Sequence, residues 1–346
     1  MATIKDIARA ARVSVATVSA VANGTKYVSE PLARRVRRAI AATGYQPHHV
    51  ARSLKNGTTQ TLGLIVTDIT NPFFTAVARS VEDSAHLAGY AVVLCNSDED
   101  VEKERLYLEL MRRRRVDGLI WAPAGGVPNY RDFRVHQSAP TLALDRRIEG
   151  MPMDAVVVDN VRATREAIEY LIGLGHRRIS LITGLPQLST SRERLQGYRE
   201  AIAAHGLRPT PELVVQGNFR SDSAHDAALG LLRMKRRPTA VFASNNLMAL
   251  GLLRAIRELG LRCPEEISVA AFDDFEEASL FTPALTTIAQ PTGAIGAKAV
   301  EIVLKRIGQR PERLPPEVAT MAAVLHVRGS CGPPGNGSRP ARGRKS

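Results

Sequence analysis

The chain has 346 residues, 23% of them charged, and a formal net charge of +13. That length supports two or three domains and a core that folds without staples. Three widely spaced cysteines (Cys95, Cys263, Cys331) form no CxxC pair; this argues against a disulfide framework or a zinc site and fits a reducing cytosol.

The charge is unevenly placed. Residues 1–57 carry ten Lys and Arg (Lys5, Arg9, Arg12, Lys26, Arg34, Arg35, Arg37, Arg38, Arg52, Lys55) against Asp6 and Glu30. Residues 331–346 add Arg339, Arg342, Arg344 and Lys345 with no acid, so the long stretch between is nearly neutral. A small basic module ahead of a neutral body is the footprint of a nucleic-acid-binding headpiece. "MATIKDIARA" lacks the apolar run of a secretory signal, and no segment is apolar for long enough to span a membrane. The expected location is the cytoplasm.

In chain order, Thr3 is a good N-cap for a helix whose apolar residues Ile4, Ile7, Ala8 and Ala11 fall at helical spacing. Val13 breaks that pattern, and Ser14 caps a second helix to about Ala22. "NGTKYVS" is turn chemistry. Ser29 caps a third helix, with Pro31 in its first turn and Gly44 just past its end. Three short helices with a tight turn between the first two predict a helix-turn-helix domain over 1–46. Residues 47–60 follow as hinge and linker: Pro47 stops the preceding element, and "HHVARSLK" is two helical turns, too short to persist alone in water.

From Thr61 the pattern changes. Apolar runs ("TLGLIV", "YAVVLC", "VDGLIWA", "PTLALD", "AVVVDN", "RRISLIT", "ELVVQG", "TAVFAS", "ISVAAF", "LTTIAQ") alternate with amphipathic helical stretches near 73–88, 101–114, 162–174, 192–205, 222–235, 246–259 and 293–307. Near-continuous apolar strands separated by helices predict two doubly wound parallel sheets over 61–330, covered on both faces. The tail 331–346 is rich in Gly, Pro, Ser and Arg and is expected to be disordered.

Two sets of residues carry candidate chemistry. In a helix-turn-helix the second helix enters the major groove with its N-terminal residues toward the bases. Thr17 and Ser19 suit phosphates or base edges, whereas Val15, Ala16 and Ala20 offer only methyl groups, which suit thymine better than guanine. In parallel sheets, ligands sit beyond the carboxyl ends of strands. There the sequence places Asn71, Phe73, Phe74, Asp145, Arg146, Asn245, Asp273 and Gln290, with Arg192 and Arg194 opening a helix. Acids and amides that bridge hydroxyls, planar Arg donors and two Phe rings to sandwich a ring are the chemistry of a polyhydroxyl ligand.

The run "TIKDIARAARVSVATVSAVANGTKYVSEPLARRVRRAIAATGYQPHHVARSLKNG" resembles the headpiece and hinge of the LacI/GalR family of bacterial transcriptional regulators, and the likeness continues through "TLGLIVTDITNPFF" to about residue 328. The resemblance implies a homodimeric, effector-controlled repressor of double-stranded operator DNA, with a two-lobed, periplasmic-binding-protein-like sensor. It implies a DNA surface of Thr3, Lys5, Ser14, Val15, Ala16, Thr17, Ser19, Ala20, Asn23, Lys26, Tyr27 and Val28. It also implies hinge helices that pair in the minor groove through His48, His49, Ala51, Arg52, Leu54 and Lys55, with Leu54 as the wedge. Ala20 and Ala22 depart from the family's usual Arg and larger aliphatic, which removes one candidate base contact. The strand-end set is similar to that of periplasmic pentose-binding proteins, implying a sugar effector of pentose or ribose type. Asn246 and Ala271 depart from the usual Asp and Gly; Asn246 is expected to affect a helix N-terminus rather than the ligand. The helix after "NPFF" is the family's dimerisation candidate.

Other signals carry less. No GxGxxG or GxxxxGK[ST] is present. "SDEDVEKE" reads as a helix cap at Ser97 and Asp98, "DDFEE" as a solvated loop with one ligand-binding Asp, and "MRRRRVDG" as a solvated helix end. No metal, cofactor or catalytic set is expected. The rival classes are a cytosolic solute-binding protein and a sugar-active enzyme on the same fold.

Overall fold

The computed structural model describes residues 2–23, 26–44, 58–126, 130, 139–208, 210–309 and 315–335. The hinge residues His48, His49, Ala51, Arg52, Leu54 and Lys55 lie outside this set. The chain divides into two units, Met1–Gln60 and Thr61–Ser346.

The first unit holds α1 (Ile4–Ala11), α2 (Val15–Asn23) and α3 (Glu30–Thr43). Thr3 caps α1 in a reciprocal box: its side chain accepts from the Asp6 N–H, and Asp6 Oδ2 accepts from the Thr3 N–H at 2.9 Å. Ser14 Oγ accepts from the Thr17 N–H at 3.1 Å, as a cap does. Ser29 holds the N-cap position of α3, but its side chain makes no capping bond. Ile7, Ala8, Ala11, Val18 and Val36 form the core. The turn between α1 and α2 passes through Arg12 at φ 50°, and Arg35 of α3 donates to the carbonyls of Ala11 and Arg12. Arg35 is therefore occupied as a staple of this turn.

The second unit is built on two six-stranded sheets. The first comprises β1 (Thr61–Val66), β2 (Ala91–Asn96), β3 (Gly118–Trp121), β4 (Thr141–Leu144), β5 (Asp154–Val158) and β11 (Val318–Met321), in the order β11-β5-β4-β3-β1-β2, all parallel. The second comprises β6 (Ile179–Thr183), β7 (Val214–Gln216), β8 (Ala240–Ala243), β9 (Ser268–Phe272), β10 (Thr286–Ala289) and β12 (Val324–His326), in the order β12-β10-β9-β8-β6-β7. Only β12 runs antiparallel, against β10. Helices α4 (Pro72–Leu87), α5 (Val101–Arg114), α6 (Asn160–Gly173), α7 (Ser189–Ala204), α8 (Ser221–Leu232), α9 (Asn246–Glu258) and α10 (Thr292–Arg306) join the strands.

The chain passes between the sheets three times. β5 leads into α6, which packs on α7 in the second lobe. α10 returns after β10 to pack on α4 in the first, and β11 and β12 cross once more. All ten strands and seven helices read from the sequence of this unit are present. β11 and β12 were not anticipated, being short and half-exposed. β2 also departs from the expectation of strands covered on both faces: it is an edge strand, with Val93 and Leu94 exposed. Residues 331–335, expected to begin a disordered tail, are tied to the second lobe. The Gly332 N–H donates to Ser268 Oγ at 3.1 Å, and the Gly332 carbonyl accepts from buried His176 at 2.9 Å.

Candidate functional site

In the first unit, the front of α2 presents Ser14, Val15 and Ala16 to solvent, with Val15 41% exposed. The Ser14 and Thr17 hydroxyls lie 2.9 Å apart and hydrogen-bond each other. Thr17 and Ser19 are half-buried. Lys5, Lys26 and Tyr27 are exposed, Val28 is half-buried, and Thr3 is exposed with its side chain engaged in the capping box. Ala20 corrects the sequence reading: at 8% exposure its methyl is covered and offers no outward face. Asn23 ends the helix.

In the second unit, a cavity of about 260 Å³ is lined from both lobes. Eight of the expected residues meet there: Asn71, Phe73, Phe74, Asp145, Arg146, Arg194, Asn245 and Asp273. Local structure puts them in place. Asn71 and Asn245 are the N-caps of α4 and α9, accepting from Phe73 N–H at 2.9 Å and Met248 N–H at 2.8 Å. Asp145 follows β4 and Asp273 follows β9, each in left-handed backbone, at φ 65° and 70°. That conformation costs a non-glycine residue roughly 1–2 kcal/mol. Among the described residues nine non-glycine positions have positive φ, and five of them (Asp98, Glu99, Asp145, Phe219, Asp273) line this cavity. Backbone strain gathered at one place marks a functional site.

The electrostatics are those of a dry, charged chamber. Burial pushes the Asp145 carboxyl up to about 6, with Arg146 and Arg194 pulling the other way. Burial likewise raises Asp273, opposed by Arg194 and by the amide of Gln290, which donates to Asp273 Oδ1. Arg146 is clamped: both Nη atoms donate to Glu99 at 2.6 Å, Nη1 also donates to the Pro123 carbonyl at 3.0 Å, and the guanidinium sits 5.5 Å from the Phe219 ring centre. Arg194 lies 3.7 Å from the centre of the Phe272 ring and donates to Asn160 Oδ1 at 2.8 Å. Beneath Arg146, buried Glu104 holds the turn that carries Pro123, accepting from Trp121 Nε1, Ala124 N–H and the Tyr130 hydroxyl. Burial raises the pKa of Glu104, against those three donors.

Four polar atoms of the residues lining this cavity are buried with no hydrogen-bond partner: Thr67 Oγ1, Asp145 Oδ1, Arg146 Nε and Thr190 Oγ1. Gln290, expected at the effector, does not line the cavity but bonds Asp273, and its Oε1 is likewise unpaired. An unpaired buried polar atom costs about 1–3 kcal/mol. The arrangement can therefore accept hydroxyl donors and supply donors from two guanidiniums, against apolar ring surface.

Two further expectations need correction. Arg192 does not join the cavity; its side chain is 38% exposed, pairs with Glu149 at 3.0 Å and donates to the Gln187 carbonyl at 2.7 Å. On α7 the inward position belongs to Arg194, with Thr190 one turn earlier. Phe73 and Phe74 do not sandwich a ring between them, because their own centroids are 5.0 Å apart at 68°, in direct contact. The ring missed by the sequence reading is Phe219, from the turn before α8; Gly184 makes room for it, since a Cβ there would lie 2.2 Å from the ring. Asp98, Glu99 and Arg220 were also missed. In "SDEDVEKE" the α5 cap is Asp100, which frees Asp98 and Glu99 for the cavity. Asn246 reaches further than its own helix terminus, donating to Asn71 Oδ1 at 2.9 Å.

A basic helical reader in one unit and a strained, polar chamber between two lobes in the other define an effector-controlled DNA-binding regulator. The model for bacterial regulatory proteins of the lacI family matches residues 3–48, and that for the periplasmic binding protein-like domain matches residues 168–331. The HTH-type transcriptional repressor PurR of Vibrio atlanticus (strain LGP32) is 39% identical over 308 residues, spanning 89% of this chain and 92% of that protein. The lac repressor dimer bound to operator and the anti-inducer ONPF is 27% identical, with a TM-score of 0.84 and coverage of 96% and 99%. A LacI family transcriptional regulator from Enterococcus faecium with bound ribose is 30% identical, with a TM-score of 0.69 and coverage of 79% and 99%. The chain belongs to the LacI family and is a DNA-binding transcriptional repressor with an effector-binding domain, not an enzyme.

Proposed function

We propose that the effector is an uncharged sugar of pentose type, ribose or a close relative, held between the lobes, and that it sets the operator affinity of a cytoplasmic homodimer. The observation that carries this is the pair of strand-end aspartates, one from each lobe, buried and facing one cavity with acceptor capacity unpaired on Asp145. Vicinal hydroxyls donate to such carboxylates while Arg146 and Arg194 donate back. The cavity, at about 260 Å³, falls below the ~300–1,000 Å³ of pockets for drug-sized ligands, which favours a single small ring. Five carboxylates (Asp68, Asp98, Glu99, Asp145, Asp273) face it against three guanidiniums (Arg146, Arg194, Arg220), a balance that disfavours a phosphorylated sugar. Phe73, Phe74 and Phe219 supply apolar surface for the ring. The ribose-bound relative supports the same reading.

Sugar binding selects one lobe arrangement, and that arrangement selects the spacing of two headpieces on an operator. In each headpiece Val15 and Ala16 meet base edges, Thr17 and Ser19 approach phosphate, and Lys5, Lys26 and Tyr27 flank them. Leu54 of the hinge acts as a minor-groove wedge.

The test is a thermal-shift series on the full chain with D-ribose, D-glucose, D-galactose, ribose 5-phosphate, adenosine and hypoxanthine, followed by operator gel shifts. D-Ribose raises the melting temperature and changes operator binding; hexoses and the phosphate do not. A response to hypoxanthine or adenosine without one to ribose would replace the sugar with a nucleobase ligand.

A further inference from the structure

The two lobes meet through several side chains, and most of those contacts are exposed. The ion pairs Arg147–Glu193 (3.2 Å) and Arg192–Glu149 (3.0 Å) each include a side chain more than half exposed. Such pairs contribute little. Two contacts differ in being buried on both sides: the Arg146 guanidinium against the Phe219 ring, and a side-chain hydrogen bond in which Asn246 Nδ2 of the second lobe donates to Asn71 Oδ1 of the first at 2.9 Å.

The orientation of both amides is set by the backbone. The Phe73 N–H donates to Asn71 Oδ1 at 2.9 Å, and the Leu247 N–H donates to Asn246 Oδ1 at 2.7 Å. A backbone N–H only donates, so each oxygen is fixed where it stands, and each NH2 group is fixed with it. Asn71 Oδ1 is thus filled by two donors, which leaves the Asn71 NH2 as the part of that amide available to a molecule in the cavity it lines. Asn246 offers Asn71 Oδ1 the donor it requires. An aspartate at 246 would set a carboxylate oxygen against an amide oxygen, with no proton to share.

We propose that Asn246 is a positioning residue with two effects: it latches the lobes together across the cavity, and it fixes Asn71 as a hydrogen-bond donor toward the effector. The second effect rests on the sugar-sensing reading; the first does not depend on what the effector is.

Hydrogen exchange on the whole 346-residue chain separates them. In N246D, without ligand, exchange rises about tenfold together in peptides spanning 67–75 and 243–249, one from each lobe, as expected when about 1.4 kcal/mol of latching is lost. N246A, which adds no charge, shows the same paired rise at smaller size and stands in should N246D fold poorly. N71D keeps an acceptor for both donors, so its exchange stays near wild type in both peptides, while its affinity for D-ribose falls about tenfold or more through loss of the NH2 donor. A rise confined to 243–249 in both Asn246 variants would reduce Asn246 to a local helix-end residue and overturn the latch. Failure of wild type to bind D-ribose would remove the sugar reading and the donor role, with the exchange pattern still deciding the latch.

Discussion

The face of α2 and the cavity between the lobes handle polarity in opposite ways. On α2 the hydroxyls of Ser14 and Thr17 satisfy each other at 2.9 Å, and the most forward side chains, Val15 and Ala16, are apolar and exposed. In the cavity the apolar rings are buried, and polar atoms such as Asp145 Oδ1 and Thr190 Oγ1 are left without partners. A surface that meets a duplex already has water and phosphates to satisfy it, so little is at stake at any one position. A chamber that meets a small ligand relies on a few unpaired groups in low dielectric, each worth far more. Substitutions in the two regions should therefore differ sharply in size and in kind.

The largest effect belongs to the chamber. D145N keeps shape but replaces an ionised acceptor with an amide that donates at one end, facing Arg146 and Arg194. Loss of a charge-assisted bond with its partner left buried costs on the order of 3 kcal/mol, which corresponds to a fall in sugar affinity of about a hundredfold. Calorimetry with D-ribose measures it. Operator DNA is still shifted by the variant, but the shift no longer responds to the sugar. If instead operator binding collapsed together with sugar binding, the contrast drawn between the two regions would fail.

The next effect is a pH dependence confined to the chamber. Burial holds the folded Asp145 carboxyl near 6, above the ordinary 3.8. A raised folded value means that this group's contribution to stability is fully present below 3.8 and is lost as pH rises through about 6. A ligand whose hydroxyls donate to the carboxylate binds the ionised form and reverses the sign. Sugar affinity is therefore full above pH 6 and falls below it, by up to about tenfold per pH unit. Titration calorimetry between pH 5 and 7.5 checks this, and a flat profile would count against Asp145 as an ionised acceptor.

The same contrast explains what could be read from the sequence. Most of strands β1 to β10 announce themselves because parallel strands covered on both faces are continuous apolar runs, and the edge strands β2 and β7 are apolar enough to be read with them although they are less covered. Asn71, Asp145, Asn245 and Asp273 are legible because strand ends and helix caps have fixed places in such sheets. Glu99 and Phe219 are not legible: both reach the cavity through left-handed backbone, at φ 59°, in turns whose direction no periodicity encodes. Arg192 and Arg194 illustrate the limit of residue type. They sit two positions apart on α7, about 200° around the helix, and only packing decides that Arg194 points inward. Ala20 fails for a related reason, since an alanine fits either face of a helix.

Ala20 therefore gives a sharper test of the headpiece. If its position faced bases, A20R would restore a guanine contact and tighten binding to a G-containing operator. With 8% exposure, an arginine there is overpacking, which costs about 1–3 kcal/mol and weakens binding to every operator alike. A panel of half-site variants in a gel shift distinguishes uniform loss from a change of preference.

The smallest effect is at the first cap. In T3A the Asp6 N–H and the Asp6 carboxylate both lose their Thr3 side-chain partner, and removal of such a cap costs about 1 kcal/mol. Thr3 and its backbone hold the Asp6 carboxyl below its ordinary value. A depressed folded value contributes stability above the unfolded pKa and loses it as pH falls through the folded one. T3A should therefore raise exchange in the peptide spanning 2–13 about fivefold at neutral pH. The gap from wild type should close as the solution is taken toward pH 3. Exchange in the peptides lining the cavity should not change, because the capping box satisfies groups of α1 alone. An equal change in both places would mean that headpiece and sensor unfold as one cooperative body.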